Sequence, residues 1–348
     1  MNAAVITKQG NPVAPSIEFR SDYEIPNKTP AGSVVVKTLA SALNHMDLWV
    51  GRGVPGLELT YPRVSGCDAC GVVESVGDGV DSAWIGRRVI VNAAVEIDRP
   101  VRPDDGTPST LAPEYELIGE HHNGMHAERF IVPAANLAPV PDHCDPCEAA
   151  AFGLTALTAY SMMVTKGDLR PGQTVLITGI GGGVATIAMK LALHLGCTVI
   201  VTSRSAEKIA EALKLGAHEG IVDTGADWSK QVRQITSKRG VDMAVDSVGK
   251  ATHLACIKSL ARGGAYVTPG CTTGPDAQTD LARIFWNQLR VLGSTMGTND
   301  EFREVAALFA DGKVTPVVDR VYMAKDARDA WERLEAGEQM GKIVLDWR

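Results

Sequence analysis

The chain has 348 residues, of which 45% are hydrophobic and 22% charged, and its formal net charge is −7. This length suffices for two or three domains with ordinary apolar cores, and the scattered Lys and Arg residues argue against a nucleic-acid partner. The N-terminus lacks the apolar core of a signal peptide, and the longest uncharged apolar run, 175–189, is too short and too glycine-rich to span a bilayer. Seven cysteines, an odd number, indicate reduced thiols. We therefore expect a cytoplasmic protein without a membrane partner.

The first 150 residues are predicted to be rich in β-strands. Short runs of β-branched residues, set off by Gly, Pro and Asp, predict strands at 34–38, 71–76 and 88–91. Asn123-Gly124 predicts a hairpin turn leading into a strand at 127–132. Residues 98–113, with four prolines, are predicted to form a loop or lobe. Asp145-Pro146-Cys147-Glu148 has the pattern of a capping box at the start of an apolar helix.

From about residue 154 the pattern changes to alternating strands and helices. Strands are predicted at 175–178, 198–202, 219–223, 241–246, 264–268 and 290–294. Helices are predicted at 186–195, 205–215, 227–238, 251–261 and 279–288. The tail is predicted to hold a helix at 300–311, a short strand at 317–318, a helix at 325–335 and a strand at 341–345. Six strands with right-handed crossovers predict an α/β fold with a doubly wound parallel sheet.

A glycine-rich turn follows the first strand of this sheet. Glycines 179, 182 and an alanine at 185 form a G-x-x-G-x-x-A spacing, whereas a strict G-x-G-x-x-G fails because Val184 interrupts it. A strand, a glycine turn and a helix N-terminus form a site for a pyrophosphate, since bare backbone N–H groups and the helix dipole attract anions. The predicted dinucleotide contacts are Gly179, Gly181, Gly182, Gly183 and Val184.

The end of the second strand bears on which dinucleotide binds. NAD sites usually carry Asp or Glu there for the ribose 2′-hydroxyl, and residues 198–206 contain neither. Ser203, Arg204 and Lys208 can instead surround a 2′-phosphate. The pattern favours NADP(H), with NAD(H) as the alternative; the competing structural interpretation is a helix cap at Ser205. Further cofactor contacts are predicted where later strands end, at Ser247, Gly249, Pro269, Gly270 and Met296.

Several motifs, in order along nearly the whole chain, resemble those of the medium-chain dehydrogenase/reductase superfamily. They are 42–49 (ALNHMDLW), 66–73 (GCDACGVV), Gly119-Glu120 with Gly124, Ala127 and Glu128, 149–156 (AAAFGLTA), the glycine turn, 292–297 (LGSTMG) and 341–345 (GKIVL). The resemblance implies a GroES-like β-rich catalytic domain at 1–153 and 296–348 and a Rossmann domain at 154–295. It also implies a small-molecule substrate and a homodimer, with the edge strand near 290–294 as the contact.

The resemblance also raises the question of zinc. The three positions that match zinc ligands in the alcohol dehydrogenases of this superfamily are Asn44, Cys67 and Phe152, and Asp68 replaces a glutamate. Catalytic zinc needs three protein ligands. The matching proton-relay positions are Met46 and Trp49, whose side chains cannot both accept and donate a proton. No cysteine lies between residues 71 and 143 to build the family's structural zinc site. We therefore expect no zinc, with an unusual metal set around Cys67 and Asp68 as the alternative.

Site roles then follow from the resemblance. Asn44 and Asp47 form the N-x-x-D pattern of the zinc-free members, in which the asparagine lines the active site. We expect Asn44, helped by Cys67 or a bound water, to be the hydrogen-bond donor, and Asp47 to brace the local backbone. Cys67 is expected beside the nicotinamide, as a proton donor, a wall residue or a redox-sensitive thiol; the alternative is a small buried side chain. His45 and Lys342 match basic positions that contact the cofactor pyrophosphate. Thr155 matches a further cofactor contact.

Two CxxC pairs and a histidine group are competing features. Cys67/Cys70 and Cys144/Cys147 have zinc-like spacing, but one pair falls in a predicted strand and the other in the predicted capping box. His121, His122 and His126 flank the predicted hairpin, and we interpret them as surface or cleft-lining side chains rather than a metal cluster.

These features predict an NADPH-dependent, zinc-independent oxidoreductase that transfers hydride to an activated C=C bond or a quinone. One alternative is an alcohol or aldehyde dehydrogenase, metal-dependent or metal-free. The other is a non-catalytic NADPH-binding protein.

Overall fold

The computed structural model describes residues 1–96, 109–112 and 115–348. The predicted lobe at 98–113 therefore lies almost entirely outside the described residues. Contacts between Cα atoms divide the chain into two compact units. The first comprises 1–154, 298–312 and 316–348, and the second comprises 155–297 and 313–315.

The N-terminal part of the chain is mostly β-structure. Its strands are β1 (Ala3–Ile6), β2 (Ile17–Arg20), β3 (Ser33–Ala42), β4 (Arg63–Val64), β5 (Ala69–Val76), β6 (Arg88–Val91), β7 (Ala94–Glu96), β8 (Tyr115–Leu117), β9 (Arg129–Pro133) and β10 (Leu137–Pro139). Its helices are α1 (His45–Arg52) and α2 (Pro146–Tyr160), the latter continued by a π-helical segment, Ser161–Lys166.

The remainder alternates between strands and helices. The central strands are β11 (Thr174–Ile177), β12 (Thr198–Ser203), β13 (Glu219–Val222), β14 (Val241–Val245), β15 (Leu260–Thr268) and β16 (Arg290–Gly293). The helices among them are α3 (Gly183–His194), α4 (Ala206–Lys214), α5 (Ser229–Ile235), α6 (His253–Ser259) and α7 (Leu281–Asn287). The tail has α8 (Asn299–Ala310), β17 (Val318–Met323), α9 (Ala327–Ala336) and β18 (Lys342–Asp346).

In the first unit, the largest sheet joins distant parts of the chain. Its strand order is β10-β6-β5-β3-β18-β17, and β9 pairs with the first half of β3. The C-terminal strand β18 runs antiparallel to the end of β3, with Val344 opposite Ala42. This pairing brings Lys342, at the start of β18, close to the residues that follow β3.

In the second unit, six parallel strands form one sheet in the order β13-β12-β11-β14-β15-β16. The predicted doubly wound sheet is confirmed. Its central strands are apolar on both faces; Val175, Leu176 and Ile177 are fully buried, as expected where helices cover both sides. The unit's core continues through Ile200 and Val241, among other residues.

Helix α3 begins at Gly183, three residues before the predicted start. Only Gly179 and Gly181 in the glycine run have positive φ angles, 64° and 110°. Gly182 already serves as N-cap, so the turn is shorter and the helix longer than predicted. Strand β15 also begins earlier than predicted, because Leu260 pairs with Val241 before a register shift.

The predicted hairpin turn at Asn123-Gly124 is wrong. These residues lie against β4 instead: Gly124 N–H donates to Val64 O at 2.8 Å, and Asn123 Oδ1 accepts from Val64 N–H at 3.2 Å. A Cβ on residue 124 would lie 2.3 Å from the Ser65 backbone. The glycine is needed for this close approach rather than for a turn.

The predicted start of α2 is confirmed at its cap. Asp145 Oδ1 accepts from the N–H groups of Cys147 and Glu148 at 2.8 and 3.1 Å. Together with the π-helical segment, α2 is the one helix among the described residues that is long and apolar enough to cross a membrane. Of its most apolar 18-residue window, 78% is buried inside the structure, and a core helix passes the same test.

Candidate active site

One group of candidate site residues lies in the first unit, where β3 ends and α1 begins. Asn44 is the N-cap of α1, but its side chain is not needed for capping. Asp47 performs that task, accepting from the Asn44 backbone N–H at 2.7 Å through Oδ2. The Asn44 amide is therefore directed at the residues that precede β5.

Four side chains meet at this point. Lys342 Nζ donates to Asn44 Oδ1 at 2.5 Å and to Asp68 Oδ2 at 3.0 Å. Asn44 Nδ2 lies 3.2 Å from Asp68 Oδ2 and 3.4 Å from Cys67 Sγ. The side chains are almost withdrawn from solvent: Asn44 is 9% exposed, Lys342 3%, Asp68 1% and Cys67 0%. We call these four residues the acceptor cluster.

The acceptor cluster is a compensated buried ion pair. A lone buried charge is strongly disfavoured, and the Lys342 ammonium and Asp68 carboxylate offset each other's loss of hydration. Burial first, then the carboxylates of Asp47 and Asp68, raise the pKa of the Cys67 thiol well above its ordinary value. Cys67 is thus a neutral thiol at physiological pH rather than a thiolate.

The donor set does not fit a catalytic zinc ion. Zinc at a catalytic site needs three protein ligands, whereas the Asn44 oxygen is already bound by the Lys342 ammonium. At the third position Phe152 stacks on Phe309 with ring centroids 4.9 Å apart, within apolar packing. A dication here would also face the buried positive charge of Lys342. Across the described parts of the chain, no group of three or more His, Cys, Asp or Glu side chains is arranged to hold a metal.

A second buried network contacts the first turn of α1 through Asp47. Asp47 Oδ1 lies 3.3 Å from His126 Nε2, an electrostatic contact whose geometry is not that of an aligned hydrogen bond. His126 Nδ1 shares a 2.8 Å hydrogen bond with Ser41 Oγ, which also accepts from Trp347 Nε1 at 2.9 Å. The expectation of a surface or cleft-lining His126 is wrong, because the residue is fully buried. His121 and His122 are partly exposed, and Glu116 pairs with His122.

Cys70 and Cys147, from the two CxxC pairs, make none of the hydrogen bonds of the acceptor cluster. Cys70 is buried within β5, and burial raises its pKa to about 12. Cys147 Sγ accepts from Arg348 Nη2 at 3.6 Å, and burial raises the Cys147 pKa to about 11. All seven cysteines of the chain are free thiols in the structure.

The predicted basic contact His45 is the first residue of α1 and is only partly exposed. Burial, then the charge of Lys342, lowers its pKa. Lys342 itself points into the acceptor cluster, so the structure gives its charge partners other than a pyrophosphate. The role of both residues toward the cofactor stays a prediction.

The glycine turn of the second unit fits a pyrophosphate. No side chain caps the N-terminus of α3 at Gly182, so its first N–H groups can bind an anion. A Cβ at Gly181 would come within 2.5 Å of the Lys208 side chain, and one at Gly179 within 2.7 Å of Val248. The glycines therefore keep a narrow surface clear of side chains.

Ser203 and Arg204, which are predicted to contact the 2′-phosphate of NADP(H), lie at the end of β12. Ser203 is 9% exposed and its Oγ accepts from Ser205 N–H at 3.2 Å. Ser205 caps α4 by accepting from Lys208 N–H at 3.2 Å, so the structural interpretation of Ser205 as a cap is confirmed. Arg204 is exposed between them.

A carboxylate that the sequence interpretation missed organises the next loop. Asp246, at the end of β14, is fully buried; its Oδ1 accepts from Thr178 Oγ1 at 2.6 Å and Thr252 Oγ1 at 2.8 Å. Oδ1 also accepts from Val248 N–H at 2.9 Å, and Tyr266 donates to Oδ2 at 2.9 Å. The sequence feature that could have indicated Asp246 is its position directly before Ser247, a predicted cofactor contact.

The other predicted contacts lie at strand ends of the same unit or at its start. Gly270 N–H and Thr268 Oγ1 are 3.4 Å apart just beyond β15, with Pro269 between these residues. Met296 has a positive φ of 45° and is 6% exposed. Thr155, the first residue of the unit, is 2% exposed.

Comparisons with known proteins agree with this architecture. The family model of the alcohol dehydrogenase GroES-like domain matches residues 30–142, and that of the zinc-binding dehydrogenase matches residues 183–311. The zinc-type alcohol dehydrogenase-like protein YogA of Leptosphaeria maculans is 31% identical over 332 residues, 90% of each chain. Crotonyl-CoA reductase of Streptomyces avermitilis is 28% identical over 361 residues, 92% of this chain and 80% of that protein.

Solved structures are similar over almost all of the chain. An NAD-dependent alcohol dehydrogenase has a TM-score of 0.92 and 37% identity, with complete coverage of both chains. The 2-octenoyl-CoA carboxylase reductase CinF, in complex with NADP and 2-octenoyl-CoA, has a TM-score of 0.90 and 25% identity over 99% of this chain and 87% of that chain. These relatives are enzymes, which decides against a non-catalytic role. The chain belongs to the medium-chain dehydrogenase/reductase superfamily and is an oxidoreductase that uses a nicotinamide cofactor.

Proposed function

We propose that this protein is an NADPH-dependent oxidoreductase that works without zinc and reduces an activated C=C bond, as in an enone, or a quinone. The acceptor cluster carries the proposal: two of the three positions that match zinc ligands, Asn44 and Cys67, lie in a buried hydrogen-bonded group with Lys342 and Asp68. When bound, NADPH supplies the hydride. The protein's own residues orient the acceptor and stabilise the negative charge that develops on its oxygen.

The cofactor preference follows from the end of β12. Arg204 is exposed beside Ser203, and no carboxylate lies between Thr198 and Ala206 to bind a ribose 2′-hydroxyl. A guanidinium makes charge-assisted hydrogen bonds to phosphate oxygens, which favours the 2′-phosphate of NADPH. The CinF complex contains NADP, which supports the same preference.

The acceptor class follows from the chemistry of the acceptor cluster. Oxidation of an alcohol is assisted by a Lewis acid that stabilises an alkoxide, and this donor set does not fit one. Reduction of an enone needs a hydrogen-bond donor at the carbonyl oxygen, where negative charge develops. The crotonyl-CoA and 2-octenoyl-CoA enzymes are named for enoyl substrates of this electronic type.

A second candidate is an alcohol or aldehyde dehydrogenase. It is favoured by the 37% identity to a structure named as an NAD-dependent alcohol dehydrogenase. This candidate predicts zinc held around Cys67 and Asp68, or carbonyl reduction without metal.

Metal analysis and substrate panels separate the two candidates. We expect the purified protein to contain no stoichiometric zinc and to oxidise NADPH with enones or quinones faster than it reduces NADP⁺ with alcohols. Stoichiometric zinc that is lost in Cys67→Ala, together with loss of alcohol oxidation, would overturn the proposal. Cys70→Ala is the matched control, because Cys70 is equally buried but lies outside the acceptor cluster.

A cytoplasmic location stays a prediction.

A further inference from the structure

We propose that the Lys342 ammonium, rather than the Asn44 amide, binds the acceptor's carbonyl oxygen, as a fixed cation in the place where zinc enzymes hold a metal. This inference rests on the proposed reduction of an activated C=C bond. It assigns Lys342 a role in the chemical step and makes Asn44 and Asp68 the residues that position it.

The anchoring of Lys342 is the first observation. Its side chain is 3% exposed, yet only two acceptors, Asn44 Oδ1 and Asp68 Oδ2, receive hydrogen bonds from it among residues 1–96, 109–112 and 115–348. An ammonium group has three N–H donors. Buried donors are almost always hydrogen-bonded in native proteins, so the third N–H calls for a partner. A carbonyl oxygen of the acceptor has the chemistry to fill that place.

The orientation of Asn44 is the second observation. Its two N–H groups are directed at Asp68 Oδ2, Cys67 Sγ and Ala42 O, at 3.2, 3.4 and 3.4 Å. Its oxygen is bound to Lys342. The Asn44 amide is therefore committed within the protein, and its function is to direct the ammonium.

The charge of the surroundings is the third observation. Asp68 compensates Lys342, and the Asp47 carboxylate turns away to the Asn44 backbone and toward His126. A fixed cation in a site of low dielectric stabilises a developing oxyanion without reorganisation.

The chemistry balances with NADPH as the reductant. The acceptor gains a C–H bond at its β carbon with the hydride's electron pair, and the C=C π electrons move toward the carbonyl oxygen as an enolate. Lys342 donates a hydrogen bond to that oxygen and keeps its proton. A water molecule then protonates the α carbon and leaves as hydroxide, which the buffer neutralises. The acceptor has gained two hydrogens, and the oxidised cofactor is NADP⁺.

Lys342→Met removes the charge and retains an apolar chain of comparable length. We expect the rate of enone reduction in a single turnover to fall about 100-fold or more, in the range seen when an oxyanion-binding donor is deleted. NADPH affinity, followed by nicotinamide fluorescence, should stay within about threefold, since a tenfold change would correspond to loss of a strong cofactor contact. Lys37→Met, an exposed lysine on β3, should leave both quantities unchanged.

A second probe does not depend on turnover. p-Nitrophenol bound in the presence of NADP⁺ mimics an enolate oxygen, and its ionisation is visible. In the wild type its titration should move to lower pH, and this displacement should be lost in Lys342→Met. Because that variant leaves Asp68 unpaired, the double variant Lys342→Met/Asp68→Asn removes both charges; it should fold and also lack the displacement.

The outcomes distinguish the two proposals. A tenfold or larger loss of NADPH affinity in Lys342→Met, with an unchanged p-nitrophenol titration, would show that Lys342 binds the cofactor and would overturn the inference. An unchanged single-turnover rate in the folded double variant would overturn it as well. If the wild type reduces no enone or quinone but Lys342 still controls the p-nitrophenol titration, the proposed function fails while the oxyanion-binding role of Lys342 is supported.

Discussion

Asp47 and His126 face each other in the interior of the first unit, with Asp47 Oδ1 3.3 Å from His126 Nε2 and neither side chain exposed. The other oxygen of Asp47 accepts from the Asn44 backbone at 2.7 Å. The pair therefore connects the first turn of α1 to the segment before β9, through residues 79 positions apart. Asp47 acts on the acceptor cluster by positioning Asn44.

Replacing Asp47 by Ala should destabilise the protein by about 3–5 kcal/mol, the cost of breaking a buried charged contact and leaving its partners unsatisfied. Urea unfolding at pH 7 measures the change. Asp22→Ala, which removes an exposed carboxylate paired with Arg20, is the control and should leave the urea midpoint nearly unchanged. Equal effects of the two substitutions would contradict the positioning role.

The same carboxylate predicts a pH dependence of stability. Burial raises the pKa of Asp47, but the nearby His126 and the Asn44 N–H together hold it below its ordinary value of 3.8. A carboxyl group whose folded pKa is depressed stabilises the fold above its unfolded pKa, and this contribution is lost as pH falls through the folded pKa. The wild type should thus lose stability below about pH 4 more steeply than Asp47→Asn. Parallel urea midpoints for the two proteins between pH 5 and 3 would contradict this.

Tyr266→Phe removes the donor to Asp246 Oδ2 and leaves a buried carboxylate oxygen unsatisfied. The free energy of unfolding is expected to fall by about 1–3 kcal/mol. NADPH should also bind more weakly, because Asp246 accepts a hydrogen bond from Val248 and so holds the adjoining loop. Burial and Asp246 raise the Tyr266 pKa above its ordinary value of 10.0, so its contribution is complete below pH 10 and is lost as pH rises through the folded value. Tyr322→Phe, on a partly exposed side chain, is the control for both measurements.

Arg204→Asp tests the cofactor preference. The substitution should lower the affinity for NADPH by tenfold or more and leave the affinity for NADH nearly unchanged. A carboxylate repels the 2′-phosphate but can accept a hydrogen bond from a 2′-hydroxyl. Fluorescence titration with both cofactors measures it. Lys214→Asp, at the other end of α4, should leave the ratio of affinities unaltered. Equal affinities for NADPH before and after Arg204→Asp would refute the assignment.

The predicted homodimer is tested on the edge of the parallel sheet. Four apolar side chains of α7 and β16 are strongly exposed: Leu281 71%, Phe285 70%, Trp286 69% and Val291 48%. Such a cluster beside an edge strand is typical of a contact between chains. Trp286→Asp with Val291→Lys should convert the dimer to a monomer in sedimentation. Leu213→Lys, near the opposite edge of the sheet, should remain dimeric; a monomeric wild type would contradict the prediction.

Local patterns predicted the second unit well. Its strands are continuous apolar runs between glycine turns, so the hydrophobic period itself indicates buried parallel strands. Errors fell at boundaries: α3 begins at Gly183 because Gly182 has an ordinary φ and can cap the helix. In the first unit, Asn123-Gly124 has the composition of a turn but pairs with β4, since a distant strand competes for its backbone hydrogen bonds.

The sequence by itself identified the family, and it predicted a nucleotide site at the glycine turn and the loss of zinc ligands at Asn44 and Phe152, because these are matters of residue identity and short-range spacing. Only the tertiary structure showed which charged side chain contacts Asn44 and Asp68. Lys342 lies 298 positions from Asn44 and 274 from Asp68, and β18 pairing with β3 brings them together. Such a contact has no local signature, because a lysine beside a predicted strand reads as a surface residue until its buried partners are known. The fold made it the buried cation of the acceptor cluster.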